Sequence, residues 1–198
     1  MTYHSDSTAI VILAAGESRR MGTSKQLLMV ENTPLLRRSA EIAVRTTQPV
    51  WVVLGANESA HRGVLSGCSC KIVVNPNWRE GMGTSIQLGL ASVCNEARDA
   101  SAILLMVCDQ PLVTTAHLLS LLAQSTLHPS SRIASGYADT MGVPAIFPKT
   151  FFSQLMKIPP SMGARKLLAD NPETVVTVPL PGGEIDLDTP EDYKTFIP

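Results

Sequence analysis

The chain has 198 residues, 44% hydrophobic and 17% charged, with 16 basic against 17 acidic side chains for a net charge of −1. That length suits one domain with a sizeable core, expected to span residues 1–198, and the near-neutral balance excludes bulk electrostatic binding of nucleic acid or of an anionic membrane. No apolar run approaches a membrane span, and the polar start "MTYHSDST" lacks a basic region ahead of an apolar stretch. No signal peptide is therefore expected, and the cytoplasm is the expected compartment.

The first element, "AIVILA", is a run of β-formers that reads as a buried parallel strand. It leads into "LAAGESRRMGTSK", residues 13–25, where Gly16 and Gly22 are read as positions that avoid the restrictions of a Cβ. A loop after a strand that carries Arg19, Arg20 and Lys25 suits a polyanion, with backbone N–H groups cradling phosphates and the cations supplying charge. It is not a P-loop, because five residues separate Gly16 from Gly22 and Lys25 is followed by Gln26. The dinucleotide and kinase glycine patterns are also absent.

Next comes the helix pattern "TPLLRRSAEIAVRT", with Thr33 as cap and Pro34 in the first turn. "PVWVVLG" and "CKIVVN" read as strands on either side of a short helix, "ANESAHRGVL". "GTSIQLGLASVCNEA" is a helix capped by Thr84 or Ser85. The loop ahead of it, "NWREGMGTS", has Gly81 and Gly83 placed to let backbone approach a base or ribose, with Ser85 as a hydrogen-bond donor; a plain flexible turn fits the same spacing. "SAILLMVCD" is the most apolar strand and the expected centre of the sheet. It ends in Asp109, and Pro111 stops it. Asp109 is thus expected on the same sheet edge as the basic loop, where a carboxylate beside phosphates suits Mg²⁺.

"TTAHLLSLLAQS" is a helix capped by Thr114 or Thr115. "SRIASGY" and "GVPAIFP" follow as two strands, then a helix "GARKLLAD", a strand "TVVTVPL" and a final helix "TPEDYKTF". Just before that last helix, Asp186 and Asp188 sit at period two and face the same way if extended, offering a second carboxylate to the ion. Glu191 and Asp192 suit the dipole of the helix start. Cys68, Cys70, Cys94 and Cys108 complete no zinc set and read as buried free thiols; the histidines at 4, 61, 117 and 128 have no metal spacing. The alternation of strands and helices predicts a mostly parallel α/β sheet covered on both faces, with ligands at the carboxyl ends of its strands.

"LAAGESRRMGTSK", "CDQP" and "IDLDTPEDY", in that order, resemble the MobA-like nucleotidyltransferases over essentially the whole chain. Within that group the sequence looks most like the molybdenum cofactor cytidylyltransferases, which share Leu13-Ala14-Ala15-Gly16 and Thr33-Pro34-Leu35; the guanylyltransferase relatives typically have Leu-Ala-Gly-Gly and Lys-Pro-Leu. The resemblance implies a single-domain, Rossmann-like three-layer α/β/α fold of the nucleotide-diphospho-sugar transferase type. It assigns Arg20 and Lys25 to a triphosphate and Asp109 to Mg²⁺, or to Mn²⁺ in its place. Asp186 is the first choice as second metal ligand, with Asp188 the alternative. Leu13, Ala14, Ala15, Gly16, Gly81 and Ser85 join Arg20 and Lys25 around the nucleotide. The family's Gly-Asp-x-Gly-Ala-Arg motif appears here as "PSMGARKLL", with Pro160 and Ser161 in the first two places, which leaves the acceptor side less defined.

The implied activity is transfer of CMP from CTP to a phosphorylated pterin, with a client molybdoenzyme as a further partner. Other readings keep the chemistry but use GTP, a sugar phosphate, a phosphorylated alcohol or phospholactate, or replace catalysis by carriage of a pterin cofactor. The two candidate metal carboxylates favour an enzyme over a carrier.

Overall fold

The fold is described from a computed structural model over residues 7–197; the polar start with His4, read above, lies outside the described residues. Strand β1 (Ser7–Ala14) is apolar on both faces because it divides two cores. Ile10, Ile12 and Ala14 face one, and Ala9, Val11 and Leu13 the other. Burying each large aliphatic side chain contributes about 1.5–3 kcal/mol, so a strand of this composition must be covered on both sides.

The remaining sheet strands are β4 (Val50–Leu54), β5 (Lys71–Val74), β6 (Ala100–Val107), β7 (Arg132–Tyr137), β8 (Thr140–Pro148) and β9 (Val175–Pro179). Their order is β5-β4-β1-β6-β8-β7-β9, which puts β6 at the centre as expected. Within this sheet only β8 runs against its neighbours; the sheet's other described pairings are parallel. Helices α1 (Leu35–Val44), α2 (Glu58–Val64) and α4 (Thr115–Leu127) cover one face, and α3 (Met82–Glu96), α5 (Phe152–Leu155) and α6 (Arg165–Ala169) the other. This is the three-layer, mostly parallel α/β architecture read from the sequence. From β1 the chain moves outward through β4 and β5, then α3 brings it back to β6 on the opposite side of β1. A crevice therefore opens at the carboxyl ends of β1 and β6, where the strand order reverses.

Two helix starts differ from expectation. Thr33 does not cap α1: Thr33–Pro34 forms a short strand, β3, paired with β2 (Met29–Val30), and Pro34 occupies the cap position with no side-chain bond. The carbonyl of Leu28 accepts from Leu35 N–H at 2.9 Å, so a backbone group satisfies the first turn instead. Thr84 and Ser85 do not cap α3 either, because the helix begins earlier, at Met82, behind Gly81. Of the two candidates for α4, Thr114 is the cap. Helix α7 (Pro190–Phe196) starts on a capping box in which the Thr189 and Asp192 side chains each accept from the other's backbone N–H. The thiols also need correction. Cys108 is buried, but Cys68 and Cys70 are half-buried and Cys94 is exposed, since it lies on the solvent face of α3. No described helix is long and apolar enough to cross a membrane.

Candidate active site

The loop after β1 is fastened by one residue, Gln26. Its amide donates to the carbonyls of Gly16 (2.8 Å) and Ala14 (3.3 Å), and its oxygen accepts from the hydroxyls of Ser18 (3.0 Å) and Ser24 (2.8 Å). Gln26 is only 1% exposed, so its four bonds are shielded from water at its own end and hold the loop together. Ser18 sits in the left-handed region (φ 60°), and its hydroxyl also accepts from the Lys25 N–H at 3.1 Å. Gly22 has the positive φ of 72° expected of a loop glycine. Gly16 does not: its φ is not left-handed and no atom lies within 4 Å of a Cβ built on it. What glycine gives there is open space toward the cleft, not an unusual backbone.

The two adjacent arginines separate. Arg19 pairs with Glu17 in solvent, whereas Arg20 reaches across to Asp188 Oδ2 at 2.7 Å. Lys25 stands between two carboxylates. Its ammonium pairs with Asp109 Oδ2 and, at 2.6 Å, with Asp188 Oδ1. Burial alone disfavours its charge, but Asp109 and Asp188 outweigh that and hold its pKa above the ordinary lysine value.

Residues 109 and 188 meet because the last loop is stitched to the end of β6. Leu187 N–H donates to the Asp109 carbonyl at 3.0 Å, and the Gln110 amide donates to the Gly183 carbonyl at 2.8 Å. Leu187 is fully buried beside Leu35, so its two neighbours face the crevice together. The stretch is not extended: Asp188 N–H donates to the Asp186 carbonyl at 3.1 Å, closing a three-residue turn. Asp186 lies in the same crevice, and its carboxyl is pushed up to about 6, first by burial and then by Asp109 and Asp188.

Two clefts meet at this charged group. The first, about 370 Å³, is lined by the loop (Leu13, Ala15, Gly16, Arg20, Lys25) and by Trp78, Arg79, Gly81, Met82, Ser85 and Asp188. The second, about 440 Å³, adds Asp109, Gln110, Tyr137, Val143, Ser161, Arg165 and Asp186. Leu13, Arg20, Lys25, Met82 and Asp188 belong to both. Ser85 accepts from the Asn75 amide at 2.9 Å, which leaves its hydroxyl hydrogen free to donate. Ala14 is buried behind the loop and lines neither cleft.

Gly81 and Gly83 also have a packing role that the sequence reading did not include. A Cβ on Gly81 would lie 2.3 Å from the Pro160 carbonyl oxygen, and one on Gly83 would lie 2.2 Å from that of Pro159. Gly83 N–H donates to the Pro160 carbonyl at 2.8 Å. These glycines admit the 159–161 loop against the start of α3, so backbone of this chain packs on one side of them, while Gly81 still lines the first cleft. Sequence reading passed over Gln26, Tyr137 and Arg165 as site residues, although Arg165 stood in the quoted "MGAR" stretch. Trp78 and Arg79, with the guanidinium 4.3 Å from the ring centre, stood in "NWREG".

The acidic residues suit a hard divalent cation. Carboxylate oxygens are its preferred donors, and Asp109 Oδ1 is buried without a hydrogen-bond partner among the described residues.

A phosphate-type loop facing an acidic strand end, across the switch point of a doubly wound sheet, defines a nucleotide-handling α/β enzyme. The chain belongs to the MobA-like NTP transferase domain family, which its residues 10–175 match. It is 28% identical to the purine catabolism protein PucB of Bacillus subtilis over 92% of each chain. It is 30% identical to a probable molybdenum cofactor guanylyltransferase of Synechococcus elongatus, over 71% of this chain and 74% of that one. The crystal structure of Rv0371c from Mycobacterium tuberculosis superposes with a TM-score of 0.86 at 30% identity, covering 100% of this chain and 99% of that one. A second structure of Rv0371c is a complex with manganese, with a TM-score of 0.80 at 28% identity, covering 96% and 98% of the two chains. The chain is accordingly a nucleotidyltransferase.

Proposed function

We propose that the whole chain, residues 1–198, acts as one cytoplasmic domain that transfers CMP from CTP to the terminal phosphate of a molybdenum–pterin cofactor and releases pyrophosphate. The observation that carries this reading is the meeting of two clefts at Lys25, Arg20 and Asp188, with Asp109 on the second side. A transferase must bring two substrates to one charged point, whereas a cofactor carrier needs only one cleft.

In this reading the nucleotide occupies the first cleft, against Leu13, Ala15, Gly16, Gly81 and Ser85. An acceptor phosphate oxygen attacks the α-phosphorus in line. One P–O bond forms, the bond to the β-phosphate breaks, and pyrophosphate leaves. The nucleophile is already anionic, so no serine or cysteine need be activated; Cys108, pushed up to about 12 by burial, is unsuited to that work in any case. Lys25 and Arg20 hold the departing phosphates and offset their charge. Asp109, with Asp186 or Asp188, would hold Mg²⁺; Asp188 is brought beside Asp109 by their shared partner, Lys25. When bound, the ion offsets the negative charge on the phosphates. Arg165, exposed on the rim of the second cleft and bonded to Thr140 at 2.8 Å, suits the acceptor's anionic end.

The relatives named guanylyltransferase support a second reading in which GTP is the donor. Pyrophosphate release, measured with Mg²⁺, CTP or GTP, and a phosphorylated pterin, a sugar phosphate or phospholactate as acceptor, tests the choice. Fast release only with CTP and the pterin is expected. Release with GTP would move the chain to guanylyl transfer, and release with another acceptor would replace the pterin.

A further inference from the structure

We infer that Lys25 and the divalent cation compete for the same two carboxylates, so that Lys25 is the counterion of Asp109 and Asp188 until the cation takes them. The inference rests on the metal site proposed above and concerns the order in which that site is assembled.

The geometry carries it. The Lys25 ammonium pairs with Asp109 Oδ2 and with Asp188 Oδ1, the two carboxylates that would also hold the cation. No group of three or more described His, Cys, Asp and Glu side chains is arranged to hold a metal. The acidic residues are arranged around an ammonium instead. Charge points the same way. Lys25 and Arg20 already balance Asp109 and Asp188, and a dication added without displacing Lys25 would crowd like charges at hydrogen-bond distances.

Lys25 is built to move without disturbing its loop. Its backbone N–H is held by Ser18, and the next residue, Gln26, is fixed by four side-chain bonds. Its side chain is a flexible four-carbon stem that lines both clefts. Phosphates in the first cleft would draw the ammonium away from the carboxylates. Triphosphate and cation then assist each other's binding, and the coupling is reciprocal. The device protects Asp109 and Asp188, which are never left without a positive partner.

The test is a titration of Mn²⁺ without nucleotide, with free Mn²⁺ read by electron paramagnetic resonance. Lys25→Met should bind Mn²⁺ at least ~10-fold more tightly than the unaltered chain, and Lys25→Met with Asp188→Asn should lose that gain. Equal affinity in the unaltered chain and Lys25→Met would overturn the competition. No Mn²⁺ binding to either protein would overturn the metal site itself, while leaving the choice of CTP to its own transfer assay. If Lys25→Met fails to fold, the unaltered chain still decides. Acetylation of Lys25 by acetic anhydride, read by mass spectrometry, should rise when Mn²⁺ is added, because the ammonium is released from its two partners. Unchanged labelling at saturating Mn²⁺ would overturn the inference.

Discussion

Residues 13–25 supply most of the first cleft as one continuous stretch, whereas the second cleft draws on residues 107–110, 137–143, 161–165 and 186–188. The first is shaped by bonds within itself, through Gln26. The second is shaped by bonds between distant segments: Leu187 to Asp109, Gln110 to Gly183, and Gly83 to Pro160. A self-contained loop can keep its form while the rest of the chain drifts, which suits a part common to every nucleotide triphosphate. An assembled cleft changes whenever any contributing segment changes, which suits the part that selects an acceptor.

Asp109 lines the second cleft but pairs with Lys25, which lines both, so its loss should show no preference between them. Asp109→Asn is expected to lower turnover ~10²–10³-fold with either substrate saturating. The thermal midpoint should barely move, because Lys25 keeps Asp188 as a partner. Steady-state kinetics beside thermal unfolding would check both halves, and near-normal turnover would remove Asp109 from the chemistry.

Gln26 should split the two regions. Gln26→Leu leaves the buried carbonyl of Ala14 and the loop carbonyl of Gly16 without their Gln26 donor, at a cost of about 1–3 kcal/mol in stability, mostly from Ala14. If the loop serves the nucleotide, the nucleotide KM rises ~10-fold or more while the acceptor KM stays near its original value. A fall in stability with both KM values unchanged would make Gln26 structural alone.

The same contrast decides what the sequence disclosed. The strand and loop at 9–25 were legible because strand pattern, glycines and cations fall in one window, and β6 because its composition admits only a buried centre. Asp186 and Asp188 were rightly placed on one face, though a tight turn around buried Leu187 does this and not an extended strand. The start of α3 was misread because "GMG" looks like a loop; the Pro159–Pro160 backbone that packs there lies some 75 residues away. Gln26 carried no signal beyond being a polar residue ahead of "LLMV", because its partners are mostly backbone carbonyls and hydroxyls that any loop contains.

Arg165 gives the converse of Gln26. It is exposed, and its one side-chain partner among the described residues is Thr140, so Arg165→Ala should leave stability unchanged. The acceptor KM should rise ~10-fold, the scale of one lost charge-assisted bond, with the nucleotide KM unaltered. An equal rise for both substrates would mean that the two clefts are not divided between them.

The smallest effect concerns the base. Ala15 lines the first cleft and is 6% exposed, and its backbone is fixed: its carbonyl accepts from Ala56 N–H at 3.0 Å. A Cβ on Gly55 would lie 2.7 Å from that same oxygen, so the two loops already touch. Ala15→Gly should therefore remove a methyl group without moving the loop, widening the cleft where the proposed cytosine would give way to guanine. A single methyl is worth at most about 1–3 kcal/mol in discrimination. The preference for CTP should relax by a few-fold to ~10-fold and not reverse, because Ser85 and the Trp78–Arg79 wall remain. Competition between CTP and GTP at equal concentration, with the pterin acceptor present, measures the ratio directly. A GTP preference in the unaltered chain would overturn the assignment of the base. An unchanged ratio in Ala15→Gly would move base selection from the self-contained loop to the wall opposite.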